Sequence, residues 1–158
     1  MRRAVWMMVS ALLLLVAAGL ASIAIPALVP PARAQSAQAL YTLNCWGCHS
    51  SRAQGIPGTV PRLAHSMGCF PRIPEGRAYL VQVPGVANSP LDDGETAIVL
   101  NWMLLTFSRA ELPMDFRPYT AAEVKRYRAH RLASVIDTRR ALGEKLAARR
   151  CAIAAMNR

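Results

Sequence analysis

Cys45-Trp46-Gly47-Cys48-His49 decides how this chain is read. Two thiols three positions apart reach the two vinyl groups of one porphyrin. The adjacent histidine then falls under the iron as its proximal ligand. Cys-x-x-Cys-His is the attachment signature of haem c. A thioredoxin-like redox pair also uses Cys-x-x-Cys, but it does not need the histidine. A zinc knuckle needs a second ligand pair at similar spacing, and the remaining cysteines, Cys69 and Cys151, stand alone. The motif therefore predicts one covalent haem c, with Cys45, Cys48 and His49 holding it.

The start of the chain agrees with this. Arg2 and Arg3 precede an apolar run from Ala4 to Ile25, and Pro26, Pro30 and Pro31 lead to Ala32-Arg33-Ala34. A charged start, an apolar middle and a small-x-small site form a secretory signal. The apolar run also approaches the length that spans a bilayer, so an uncleaved anchor is the alternative. No cysteine follows the run closely, which argues against a lipoprotein anchor. Haem c is attached outside the cytoplasm, so motif and leader predict each other. The expected location is the periplasm, either soluble after cleavage or anchored to the inner membrane by the N-terminal helix.

The expected organisation is residues 1–34 as signal or anchor, 35–134 as the haem domain and 135–158 as a basic helical tail. A haem plate gives a small domain a large apolar surface to pack on. Ala37 to Asn44 reads as a short helix into the motif. Gly55 to Pro84 reads as a Gly/Pro-rich loop, with a short extended or helical piece over Ala78 to Val83. Asp92 with Glu95 forms a capping box for a helix to about Phe107, carrying Ile98, Val99, Trp102, Met103 and Leu105. Thr120 with Glu123 suggests a second box, for a helix through Val124, Tyr127 and Leu132. A last helix runs to about Met156, weakened at Gly143. Cys69 and Cys151 can pair, but with Cys151 in the tail two separate thiols are the simpler expectation.

Charge is unevenly spread. Residues 35–124 sum to −1, and Lys125 to Arg158 sum to +8. Such a patch can steer an acidic partner or lie on an anionic membrane surface. A solvated basic helix explains it equally well. Nucleic acid is not an expected partner of an exported protein. No Ser/His/Asp elbow or acid–base carboxylate pair is evident, so no catalytic residue is expected and the chain reads as a carrier, not an enzyme.

From Ser36 to Ser134 the chain resembles the class I c-type cytochromes. That family has a first helix ending in Cys-x-x-Cys-His, a glycine-rich loop with Pro-x-Leu, a middle helix, a methionine-bearing loop and a closing helix. The resemblance implies an all-α, cytochrome c-like fold around one covalent haem. It places Tyr41 at the family's aromatic position four residues before the first cysteine, and Pro61-Arg62-Leu63 at its Pro-x-Leu. The Pro61 carbonyl would then accept a hydrogen bond from the His49 imidazole, fixing its ring plane. Leu63 would pack on the haem edge, and Tyr127 would be the closing-helix aromatic. Trp102 in the middle helix is nearer to subunits paired with periplasmic dehydrogenases than to mitochondrial carriers.

Met114, in a proline-marked loop 65 residues after His49, takes the family's distal-ligand position. Its thioether would raise the reduction potential and close the iron. Met67, Met103, His65, His130 and an open site are the competitors. The expected function is one-electron transfer between a dehydrogenase or respiratory donor and a downstream acceptor. The alternative is a haem protein with an open iron site, acting as a ligand sensor or peroxidase-like enzyme.

Overall fold

The computed structural model describes residues 35–153. The proposed signal or anchor lies outside the described residues. By its internal contacts the chain divides into Met1–Ala34 and Gln35–Arg158. The second unit is helical, and no strand occurs among its described residues. No helix of the described residues is long and apolar enough to cross a membrane.

Helix α1 (Ala37–Asn44) starts where the Ser36 side chain accepts a bond from the Ala39 amide at 3.2 Å. It buries Leu40 and Tyr41 and ends at Cys45. A single turn, α2 (Trp46–His49), carries the second cysteine and the histidine. The following loop closes on itself through an isolated bridge between Ile56 and Val60. Gly55 is required there: its φ is +69°, and a Cβ would stand 2.3 Å from the Val60 carbonyl oxygen.

The stretch expected to stay a loop up to Pro84 instead contains a 3-10 turn (Met67–Arg72) and two helices, α3 (Pro74–Gln82) and α4 (Pro84–Ala87). Both helices open on proline. At the first helical position the missing N–H has no partner to lose, so these prolines start helices rather than break them.

Helix α5 (Asp93–Phe107) forms as its capping box predicts. The Asp92 carboxylate accepts from the Glu95 amide at 2.7 Å, and Glu95 accepts from the Asp92 amide at 3.1 Å. Helix α5 packs across α1. Tyr41 meets Trp102 at 5.4 Å and Phe107 at 5.2 Å, ring centre to ring centre. The helix read in the sequence as the middle one is therefore the partner of the first. Trp102, not Tyr127, supplies the aromatic that packs on Tyr41.

Helix α6 (Ala121–Arg128) stops four residues short of Leu132. Thr120 caps it, but the Glu123 carboxylate is held by Arg77 at 2.8 Å, so the reciprocal half of the expected box is spent on a long-range ion pair. Helix α7 (Val135–Ala147), capped by Ser134, runs straight through Gly143 and stops well before Met156. It packs on the 3-10 turn and on α3, and Leu142 and Leu146 enter the same core as Leu40, Phe70 and Leu104. Cys69 and Cys151 form a disulfide across 82 positions. The segment set apart in the sequence as a tail is thus part of the packed unit, because α7 has an apolar face and a covalent tether.

Candidate haem site

Cys45 closes α1, and Cys48 and His49 ride on α2, so one local turn presents all three in the same direction. The three line a single cavity of about 320 Å³ together with Pro61 and Leu63. Its lining is chiefly apolar. Phe70 from the 3-10 turn, Leu80 from α3, and Val99 and Leu100 from α5 supply much of it. Both cysteines are free thiols although they stand in a Cys-x-x-Cys pair.

The electrostatics fit a group that is to be capped by a cofactor. Burial and the neighbouring Cys48 push the Cys45 thiol up to about 11, so it stays protonated. Burial lowers the His49 imidazole below its ordinary value, opposed by the Pro61 backbone carbonyl. His49 Nδ1 is buried with no partner in good hydrogen-bond geometry. Such an atom is costly unless something fixes the ring. A metal on the other ring nitrogen, with Nδ1 turned to the Pro61 carbonyl, would satisfy both. Nearby, Tyr41 donates its hydroxyl to the Ser50 carbonyl at 2.6 Å, which ties α1 to the turn after His49.

The expected distal ligand falls elsewhere. Met114 is fully exposed, at 107% of its reference area, and does not line the cavity. It lies in the loop after α5, and among the described residues beyond that helix those that line the cavity are Val135 and Arg139 of α7. The methionines that do line the cavity are Met67 and Met103, both buried. His65 is exposed and faces Glu111, and His130 is exposed; neither lines the cavity.

Among the lining residues that went unread as site residues in the sequence are Tyr79 and Arg139. Tyr79 stacks on Phe70 at 5.1 Å, and Arg139 sits over the other part of that cluster with its guanidinium 5.4 Å from the Phe70 ring centre. Arg139 precedes Leu142 by three positions and Leu146 by seven. That spacing puts a buried arginine on the apolar face of α7, and it was the available signal.

Comparison with known proteins agrees with this geometry. Residues 34–106 match the family model described as cytochrome c. Over 134 residues the chain is 35% identical to a cytochrome c-552 of Thermus thermophilus, covering 72% of this chain and 90% of that one. A second cytochrome c-552 from the same species is 36% identical over 122 residues, covering 65% of this chain and 93% of its own length. The chain belongs to the class I c-type cytochromes. It is a haem electron-transfer protein, and its cofactor is covalently bound haem c. The family match stops at the end of α5, so α6 and α7 lie beyond it.

Proposed function

We propose that this chain is a periplasmic single-haem carrier, moving electrons one at a time between a dehydrogenase or other respiratory donor and a downstream acceptor. The observation that carries this reading is the convergence of Cys45, Cys48 and His49 on one apolar cavity. When bound, haem c supplies a one-electron iron couple.

The chain's own residues do the rest. Cys45 and Cys48 hold the ring, and the exposure of Cys48 brings that edge to the surface, where electrons can be exchanged. His49 ligates the iron. Pro61 orients the imidazole and raises its basicity. Leu63 packs at the ring edge, and the apolar walls exclude water and so set the potential. Partner choice rests on charge. Lys125, Arg126, Arg131 and Arg140 are exposed on or beside α6 and α7, while Arg139 turns inward. This cationic face suits an acidic redox partner or an anionic membrane surface, and salt should weaken either encounter. The periplasmic assignment rests on the Arg2-Arg3 leader and the haem motif.

Replacing Cys45 and Cys48 together by Ala should leave no haem on the chain after denaturing electrophoresis. Haem staining that survives the double replacement refutes the proposal.

A further inference from the structure

The cavity has a wall that carries an iron ligand and a wall that does not. His49, Pro61 and Met67 belong to one continuous stretch of bonded backbone. The His49 carbonyl accepts from Gly55 at 3.1 Å, Ala53 accepts from Leu63 at 2.9 Å, and Leu63 accepts from Met67 at 2.9 Å. Met67 is thus tied to the wall that already holds His49. Met103 lies on α5 in register with Thr96, Val99 and Leu100, one row of core side chains along a helix that crosses α1, the element leading into Cys45.

What remains is Val135 and Arg139 of α7, neither of them a usual haem-iron ligand, and a segment that runs from Tyr79 to Leu91. Its lining members are Tyr79, Leu80, Val83, Pro84, Gly85, Val86, Ser89 and Leu91. No methionine, histidine, lysine or cysteine stands between Gln82 and Asp93. This wall is also pinned. Arg128 from α6 donates to the Leu91 carbonyl at 3.0 Å, the Val86 carbonyl at 3.4 Å, Thr96 Oγ1 at 2.6 Å and Asp93 Oδ1 at 3.1 Å. The Asp92–Glu95 capping box fixes its far end. Met114 belongs to another segment, the loop after α5, where it is fully exposed.

We infer that this chain supplies His49 as its one axial ligand and leaves the second iron position to a small uncharged diatomic molecule. Val83, Val86 and Leu91 form the apolar surroundings. An apolar wall accepts a neutral diatomic, which needs no hydrogen-bond partner there. The inference rests on the haem c reading and adds gas binding to electron transfer.

Carbon monoxide added to the reduced full-length holoprotein is the probe. The haem stain of the denatured chain is run on the same sample, so a failure of haem attachment is seen separately from a failure of this inference. One carbon monoxide should bind per haem, and the oxidised protein should lack the weak band near the red end of the visible spectrum that marks an iron–thioether bond. Met67→Leu, Met103→Leu and Tyr79→Phe should each leave the affinity within about threefold, well under the tenfold that 1.4 kcal/mol represents. Haem-stained protein that fails to bind carbon monoxide overturns the inference. So does a red band that disappears in Met67→Leu or Met103→Leu, or an oxidised spectrum that changes on Tyr79→Phe.

Discussion

Between Ser36 and Phe107 the shaping contacts are mostly announced by near neighbours, whereas between Ser108 and Ile153 they are made across long stretches of chain. In the first region Ser36 caps α1, Asp92 and Glu95 cap α5, and the haem ligands come from five consecutive residues. In the second, Ser108 Oγ accepts from the Gly68 amide at 2.9 Å, Arg72 donates to the Glu111 carbonyl at 2.8 Å, and Arg77 clasps Glu123. Cys151 reaches back to Cys69. The first region supplies most of the cavity lining; the second adds Val135 and Arg139 and braces it. A brace can be essential to the stability of a site while contributing almost none of its chemistry.

Truncation after Leu132 should show the largest effect, since it removes buried Leu142, Leu146 and Arg139 together with Cys151. A truncated chain that keeps wild-type stability would show that α7 merely rests on the unit. Loss of the disulfide alone, as Cys69→Ser with Cys151→Ser, should come second. It frees a loop whose closure spans 82 positions, and removing a native disulfide typically costs about 2–5 kcal/mol. Denaturant midpoints should fall accordingly, while the haem stain remains.

The Arg77–Glu123 pair should come next. Its side chains are only about one-sixth exposed, and Arg77 also donates to the Arg117 carbonyl and sits 4.1 Å from the Tyr119 ring centre. Glu123→Gln should cost about 1–3 kcal/mol, the range for charge-assisted bonds to a partly buried partner. The side-chain bonds from Arg77 hold the Glu123 carboxyl below its ordinary value of 4.5. The sign follows: a depressed folded-state value gives stability that is fully present above about 4.5 and lost as pH falls through the lower folded value. Wild type should therefore lose more stability than Glu123→Gln on acidification below that point, as measured by chemical denaturation at several pH values.

Met114→Ala should show the smallest effect. A side chain with 107% exposure contributes no core packing, so stability should change by less than ~0.5 kcal/mol, and the visible spectrum should not move. A spectral change would return Met114 to the iron and erase the contrast between the two regions.

The same contrast explains what could be read from sequence. The haem motif and the α5 capping box are legible because each rests on residues a few positions apart; Pro61 and Leu63 came from the family resemblance and line the same cavity. Met114, placed by matching the order of helices, stands exposed and outside the cavity lining. Helix α5 crosses α1 through Trp102 and Tyr41, and the part of the chain beyond it that lines the cavity is α7, through Val135 and Arg139, not the Met114 loop. Arg139 went unread although its spacing to Leu142 and Leu146 marked the face, and the Cys69–Cys151 bond was considered but not favoured, because two cysteines 82 positions apart carry no local period. Proline-led α3 was read only over Ala78 to Val83, as an extended or helical piece, because proline was taken as a breaker where it serves as a first residue.

The disulfide poses a sorting problem during biogenesis. Four thiols allow three ways of making two bridges, yet the finished protein needs one pair oxidised and the other kept for thioether formation. Closing the short Cys45–Cys48 ring is the easier reaction for an unfolded chain, because nearby ends meet more often than ends 82 positions apart. The folded chain reverses that preference. It brings the Cα atoms of Cys69 and Cys151 to 5.6 Å, and it raises the Cys45 thiol to about 11, leaving little thiolate to attack a mixed disulfide. Packing of α7 on the 3-10 turn thus holds the Cys69–Cys151 pair together, while Cys45 and Cys48 stay free for the porphyrin.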